Sequence, residues 1–313
     1  NRLGLAQWLT HPDHPLTARV TVNRLWQMMF GRGLVETADN FGTQGARPTH
    51  PELLDWLSRE FVARKWDTKQ FLKSLAMSAT YQQSSKASPD SLNRDPSNAV
   101  LARGPLKRLT AEMLRDQALA VSGLLVEKVG GPSVKPYQPP GLWEEIAMGK
   151  PRYDQGKGDD LYRRSLYTFW KRTVPPPNMM TLDAADRSYC VVKRQATATP
   201  LSALVVLNDP QFVEAARCLG ERMLKEGGKT TAERVAFGFR HVTGRAATEK
   251  ESAVLVKLFD EQKAIFEKDA AAAKKLLAVG EKKADDSLPV ADHAAAAVVG
   301  NMLLSLNEAA LRR

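Results

Sequence analysis

The sequence predicts a mainly α protein, an irregular multi-helix domain with long ordered loops and little or no β structure. Apolar residues recur every three or four positions in most of the chain, the spacing of one helix face. Helix-start signals precede several of these runs, and Gly-, Pro- and polar-rich connections separate them. With 313 residues and 43% hydrophobic composition, the chain can bury a sizeable core.

The stretch 14–56 is the centre of the predicted organisation. It joins two predicted helices, the second of which begins near Thr49, where Pro51 and Glu52 complete a capping-box pattern. Gly31 supplies the backbone freedom to end the first of the two helices. The connection between them, about 18 residues long, exceeds what compact domains usually tolerate, so we expect an ordered functional or bracing loop.

Further helices are predicted on both sides of this stretch. Their ranges are 2–10, 68–79, 109–121, 210–227, 231–242, 249–275 and 290–311. Two types of start signal support them: Asp67 and Asp209 as N-caps, and the Thr-Glu capping boxes at 230–233 and 248–251. In the predicted helix 109–121, Glu112 and Arg115 have the spacing of a surface or bracing ion pair.

Two segments between these helices resist a regular assignment. Residues 129–160 are rich in Gly and Pro and should be extended and irregular, anchored by Tyr137 and Trp143 as a lid or rim on a cleft. Residues 161–174 mix aromatic and basic residues, and the pattern fits a strand and a helix equally well. The domain prediction is one unit, 1–313, which can divide into an N-terminal helical lobe, 1–85, and a C-terminal helical lobe, 105–313. The second lobe contains a Pro/Gly-rich segment, 129–200.

Charge and hydrophobicity disfavour a nucleic-acid partner and a membrane-spanning segment. The net charge of +10 and the pI near 9.6 favour acidic partners, but the basic residues are scattered among acidic ones and no nucleic-acid motif is present. Nucleic acid is therefore a disfavoured partner. The longest Ala-rich run, 291–299, is too short to cross a membrane.

The sequence also bears on metals, haem and processing. The segment lacks CxxC and CxxCH, so we expect no metal site, no thiolate zinc site and no cofactor in it. Cys190 and Cys218 fit a disulfide and free thiols equally. A start at Asn1 without Met is typical of a mature or excised piece of a longer protein.

Several strings in the sequence resemble one known family. They are VNRLWQMMFGRGLVETADNFGTQG, PTHPELLDWL, SATYQQSS, RLTAEMLRD, GGPSVKPYQPPGLWEE, RRSLYTFWKRTVPPP and TPLSALVVLNDPQFVEAA. In this order they resemble the planctomycete secreted domain known as domain of unknown function 1553, essentially from Asn1 to Arg313. Ala185, where a Pro is usual, departs from that pattern.

The resemblance implies a context and no catalytic residue. Members resemble the C-terminal part of exported multidomain proteins that often carry a c-type cytochrome domain upstream, in bacteria that degrade sulfated and other polysaccharides. It implies an extracytoplasmic location (periplasm, cell surface or medium), haem c on an upstream domain, and partners among the other domains of the same polypeptide. An anionic glycan is a further expected partner. These expectations rest on association.

Two hypotheses of function follow. In the first, the chain is a non-catalytic binding or assembly module. In the second, it is an enzyme domain that acts on a carbohydrate-derived substrate, by oxidation with electrons passed to the upstream cytochrome domain. Its cleft would then lie between 14–56 and 161–194.

The enzyme hypothesis assigns roles to specific side chains. His50 is the candidate general base, because its pKa in water lies near the working pH. The candidates that would orient it are Asp39, Glu52 and Asp55. The substrate-binding candidates are Asn23, Arg24, Arg47, Arg172 and Arg194, and the guanidinium groups of the four arginines can hold an anion bidentately. If these residues instead brace the fold, they should be hydrogen-bonded to one another or to the backbone, without room for a ligand.

Overall fold

The computed structural model describes residues 1–146 and 152–312, and its architecture is mainly α, as the sequence predicts. Within the described residues, the only named strands are β1 (Lys107–Arg108) and β2 (Leu311–Arg312), which pair antiparallel. The chain forms two compact units. Unit 1 contains Asn1–Arg108 and the chain from Leu311 onward, and unit 2 contains Leu109–Ala310.

The described residues of unit 1 form six α-helices. They are α1 (Arg2–Leu9), α2 (Thr17–Phe30), α3 (Pro51–Ala63), α4 (Thr68–Ala76), α5 (Ala79–Gln82) and α6 (Pro89–Arg94). Apolar side chains from α2, α3 and α4 form its core, including Trp26, Leu57, Phe61 and Phe71. The predicted N-cap is confirmed, since the side chain of Asp67 accepts a hydrogen bond from the N–H of Gln70.

The loop between α2 and α3 is ordered by its own hydrogen bonds. The hydroxyl of Thr37 donates to the carbonyl of Asn40 (2.8 Å) and accepts from the N–H of Ala46 (2.9 Å). Gly45 is required here, because a Cβ at this position would overlap the carbonyl of Asn40. The long connection is therefore a braced loop, one of the two forms that its length predicts.

The start of α3 differs from the predicted capping box. The N-cap is His50, without a side-chain cap hydrogen bond, and Pro51 occupies the first helical turn. Thr49 does not cap the helix, because both its hydroxyl (3.3 Å) and its N–H (2.9 Å) donate to the carbonyl of Leu34. The capping-box prediction was wrong, since a contact across the loop uses the hydroxyl.

The described residues of unit 2 form nine α-helices. They are α7 (Ala111–Val121), α8 (Leu142–Ile146), α9 (Pro177–Thr181), α10 (Pro200–Asn208), α11 (Pro210–Glu226), α12 (Thr231–Thr243), α13 (Glu249–Lys268), α14 (Ala270–Leu277) and α15 (Val290–Ser305). Helices α11 and α15 lie close together in the core. A Cβ at Gly220 would lie 2.6 Å from the carbonyl carbon of Ala296, and a Cβ at Gly300 would lie 2.5 Å from the carbonyl oxygen of Ala216. These two glycines therefore allow the backbones of the two helices to approach closely.

Most predicted helix starts in unit 2 are confirmed. Asp209 caps α11, and both Thr-Glu capping boxes are present, at the start of α12 and of α13. The helix predicted for 249–275 is two helices, because the side chain of Asp269 caps Ala272 and starts α14.

The irregular segments also resolve into defined structure. Residues 161–174 are neither a long strand nor a helix but contain a 3-10 turn, Ser165–Tyr167, with isolated bridges to neighbouring backbone. Within the irregular segment 129–160, residues 147–151 lie outside the described residues. Trp143 is buried, as expected of an anchor, and Tyr137 is half-buried.

Candidate functional site

Asn23 is a buried brace in unit 1. It is fully buried, its Nδ2 donates to the carbonyl of Val35 (3.0 Å), and its Oδ1 accepts from the N–H of Val35 (2.9 Å). Gly33 makes room for this pair, since a Cβ there would lie 2.7 Å from Asn23 Nδ2. The side-chain amide of Asn23 thus takes the place of a backbone hydrogen-bond partner for the loop after α2, and both its oxygen and its nitrogen are engaged.

The other candidate side chains of unit 1 do not converge on His50. Its Nδ1 lies 3.0 Å from the hydroxyl of the adjacent Thr49. Asp55 instead accepts a hydrogen bond from Arg19 Nε (2.7 Å). The remaining predicted side chains of this unit are solvent-exposed: Arg24, Asp39, Arg47 and Glu52.

The two basic candidates of unit 2 differ in their partners. Arg172 is exposed. Arg194 pairs with Glu112, because its Nη1 lies 2.9 Å from both carboxylate oxygens. Burial alone would raise the pKa of Glu112, but a hydrogen bond from its own backbone N–H and the ion pair with Arg194 together lower it. Glu112 therefore does not pair with Arg115 as the helical spacing predicts.

Arg115 is instead buried at the centre of unit 2. Its Nε donates to Gln211 Oε1 (2.6 Å), and its Nη atoms donate to the carbonyls of Arg163 and Leu161 (2.7 Å each) and to the hydroxyl of Ser165 (3.1 Å). Burial lowers the pKa of the guanidinium to about 10. One side chain thereby ties the irregular segment 161–165 to two helices.

Glu214 on α11 organises a second buried polar cluster. It is fully buried and accepts three hydrogen bonds: from the hydroxyl of Tyr162 (2.8 Å), the hydroxyl of Tyr137 (3.0 Å) and the N–H of Lys282 (2.8 Å). Arg217, one turn along and also fully buried, donates to the carbonyl of Lys282. Its Nη2 lies 3.9 Å from Glu214 Oε1. The cluster pins the connection between α14 and α15 onto α11.

The two tyrosines of this cluster are held in the neutral form. Burial, together with the negative charge of Glu214, raises the pKa of Tyr137 to about 12. Burial and the hydrogen bond to Glu214 raise the pKa of Tyr162 further. Both phenols therefore remain donors to the carboxylate across the neutral pH range, and both oxygens of Glu214 are already engaged.

A surface depression of about 530 Å³ lies above this cluster. It is lined by Tyr137, Gln155, Gly156, Lys157, Gly280 and Glu281. Its volume falls within the range of small-molecule sites, roughly 300–1,000 Å³.

A smaller cavity is also lined by Tyr137. Its volume is about 10 Å³, and its polar wall includes Arg115, Thr168 and Gln211. The buried hydroxyl of Thr168 has no hydrogen-bond partner among the described residues. A cavity of this size and polarity suits one ordered water molecule.

The structure also bears on sulfur and metals. Both cysteines are free thiols, Cys190 exposed and Cys218 buried, and burial raises the pKa of the Cys218 thiol to about 11. No group of three or more His, Cys, Asp and Glu side chains able to hold a metal was found among the described residues. No helix in that part of the chain is long and apolar enough to cross a membrane.

Sequence reasoning missed the Glu214 cluster. The nearest local signal was the position of Glu214 and Arg217 on α11, next to the small apolar residues Ala215 and Cys218. Two charged side chains on a buried helix face indicate a buried polar cluster. Their partners are remote, since Tyr137 precedes Glu214 by 77 residues and Lys282 follows it by 68. Local spacing cannot provide that pairing.

Comparison with known proteins gives one match. No curated protein and no solved structure matches this chain. The model of one family, PSD1, described as a protein of unknown function (DUF1553), matches residues 1–259. The resemblance expected over the whole chain is thus shown up to α13. Because the match covers well over half of the chain, this protein belongs to the PSD1 family of unknown function (DUF1553).

Proposed function

We propose that this chain is a non-catalytic helical module that binds or assembles the other domains of an exported multidomain protein. One observation carries the proposal. Helix α1 contains no buried residue, although half of its residues are large and apolar. A helix that adds nothing to the core of its own unit is suited to pack against a partner.

The apolar residues of α1 form a defined face. Leu5, Trp8 and Leu9 have i, i+3, i+4 spacing, so they share one side of the helix, and they are 55%, 58% and 40% exposed. Leu3 is 66% exposed but lies on the opposite side. Trp8 also contacts the ring of His14 edge-on, with centroids 4.3 Å apart, so its orientation is defined in the isolated unit.

The environment of the predicted catalytic residues supports binding over catalysis. Asn23 is engaged with backbone, Asp55 with Arg19, and His50 with a neighbouring hydroxyl rather than a carboxylate. A general base needs a partner that orients it toward a substrate. In unit 2, the carboxylate of Glu214 is buried, and three donors already engage both of its oxygens.

The biological setting comes from the family resemblance. In that setting the module is extracytoplasmic, accompanies proteins of polysaccharide breakdown and haem redox chemistry, and has an anionic glycan among its ligands. The positive net charge of +10 supports an acidic ligand.

The experiment separates the two faces of α1. The remaining domains of the same polypeptide are expressed separately, and their affinity for this chain is measured by calorimetry. A Leu5→Glu/Leu9→Glu variant should bind at least about tenfold more weakly, because two apolar side chains worth about 1.5–3 kcal/mol each lose their burial. The matched control is Leu3→Glu, which should bind as the parent does.

Two outcomes would count against the proposal. Equal affinity of parent and double variant would remove α1 from the interface. Absence of any binding between the folded parts would reject assembly altogether.

A further inference from the structure

The depression in unit 2 has walls that are fixed before any ligand arrives. The N–H of Gly158 donates to Glu281 Oε1 (2.8 Å), and the N–H of Glu281 donates to the hydroxyl of Tyr137 (2.7 Å). The N–H of Gly156 donates to the carbonyl of Lys135 (2.8 Å). The first bond joins the segment 155–158 to the α14–α15 connection, and the other two join these segments to Tyr137 and Lys135, so the backbone of the walls is preorganised for binding.

The floor of the depression is closed. Gly280 adopts φ +93° and lies directly on Glu214, because a Cβ there would overlap the carboxyl group. Beneath it, Glu214 is engaged with both tyrosine hydroxyls and a backbone N–H. A ligand therefore meets the side chains of the rim and not the buried carboxylate.

The groups left for a ligand are of three kinds. The hydroxyl of Tyr137 already donates to Glu214 and accepts from Glu281, so this residue offers its ring. The amide of Gln155 and the ammonium group of Lys157 are exposed and have no hydrogen-bond partner among the described residues. Glu281 contributes a carboxylate with one oxygen not used by Gly158.

These groups select against a strongly charged ligand. The positive charge of Lys157 is opposed by the negative charge of Glu281 in the same lining. An anionic group would gain from one and be repelled by the other. A neutral molecule with an apolar face for the tyrosine ring, and an edge of hydroxyl groups for amide, ammonium and carboxylate, uses every available contact.

We propose that this depression is a binding subsite for a neutral, hydroxyl-rich ring, that is, an uncharged sugar residue of an oligosaccharide. The ring stacks on Tyr137, and its hydroxyl groups bind Gln155, Lys157 and Glu281. The subsite lies in unit 2 and does not depend on the α1 face, so either proposal can fail without the other.

The test uses the whole chain and four neutral probes: maltotriose, cellotriose, mannotriose and xylotriose. Binding is followed by calorimetry and by saturation-transfer NMR. We expect at least one probe to bind, and a Gln155→Ala/Lys157→Ala variant to lose at least tenfold in affinity for it. Both side chains are exposed, so the variant should fold, and Lys250→Ala, exposed on α13, is the matched control that should bind unchanged.

A second pair of measurements tests the choice of a neutral ligand. A sulfated form of the bound trisaccharide should bind no better than the neutral form. Tighter binding of the sulfated form that disappears with Lys157→Ala would overturn the proposal in favour of an anion site. Failure of every neutral probe, or binding that the double variant leaves intact, would also overturn it.

Discussion

Replacement of Asn23 by Ala distinguishes a brace from a ligand-binding residue. The substitution removes two hydrogen bonds, 3.0 and 2.9 Å long, and leaves the N–H and carbonyl of Val35 buried without a partner. Each orphaned buried group costs about 1–3 kcal/mol, so unit 1 should lose about 4 kcal/mol of stability. At roughly 4–8 °C per kcal/mol for a unit of this size, its Tm should fall by at least about 15 °C.

The assay combines thermal unfolding with native-state hydrogen exchange. Exchange at the Val35 amide reports on this site directly, because the Val35 N–H donates its hydrogen bond to Asn23 Oδ1. The neighbouring exposed Arg24 provides the control, since Arg24→Ala should change stability by no more than about 0.5 kcal/mol. A loss below about 1 kcal/mol with unchanged protection of Val35 would refute the bracing role and restore Asn23 as a binding candidate.

Three further predictions concern unit 2. Gly280→Ala should destabilise unit 2 by about 3 kcal/mol in urea unfolding, because the new Cβ would overlap Glu214. The control Gly244→Ala has a similar φ but open space around it, so it should destabilise the unit by about 1 kcal/mol. Equal destabilisation by the two substitutions would contradict this packing. Arg115→Lys should lower the free energy of unfolding by roughly 3 kcal/mol, because the buried hydrogen bonds of the guanidinium are lost. The exposed control Arg164→Lys should change it by no more than about 0.5 kcal/mol in the same assay. Similar effects of the two substitutions would argue against the buried network. Absorbance at 295 nm should show fewer than six tyrosines ionised at pH 11 in the folded protein and all six in guanidinium chloride. The raised pKa values make the folded state hold its phenolic protons more tightly, so their contribution to stability is full below about pH 10 and falls as pH rises above it. Ionisation of all six at pH 11 without unfolding would contradict the burial of the three tyrosines with raised pKa values, Tyr137, Tyr153 and Tyr162.

Local signals in the sequence were sufficient to place most of the longer helices, whereas the short helices α5, α6, α8, α9 and α10 were not predicted. The caps at Asp67 and Asp209 and both capping boxes act within a few residues of themselves, so pattern and structure agree there. The split at Asp269 has the same kind of signal, an acidic N-cap before four alanines, but the long apolar pattern of 249–275 obscured it. At Thr49 the pattern failed because a contact fifteen residues back, to Leu34, took the hydroxyl.

The candidate site depended on contacts that local spacing does not specify. His50, Asn23 and the arginines stand out in a sequence because polar residues near a Gly-rich loop are typical of sites. Glu214, in the middle of a regular helix, has no such context, and its partners lie far away in the chain. Only the tertiary fold could identify the depression above it.

The most direct test of the proposed binding role is a turnover assay on neutral and sulfated oligosaccharides. It uses the multidomain, haem-bearing polypeptide to which the proposal assigns this chain. Parent and His50→Ala/Arg24→Ala variant are compared by product analysis and by the haem absorption spectrum. The account predicts that this chain contributes no turnover, so both proteins give the same rate and the same haem spectrum on every sugar. Sugar-dependent haem reduction that is present in the parent and lost in the folded variant would contradict it and establish an enzyme.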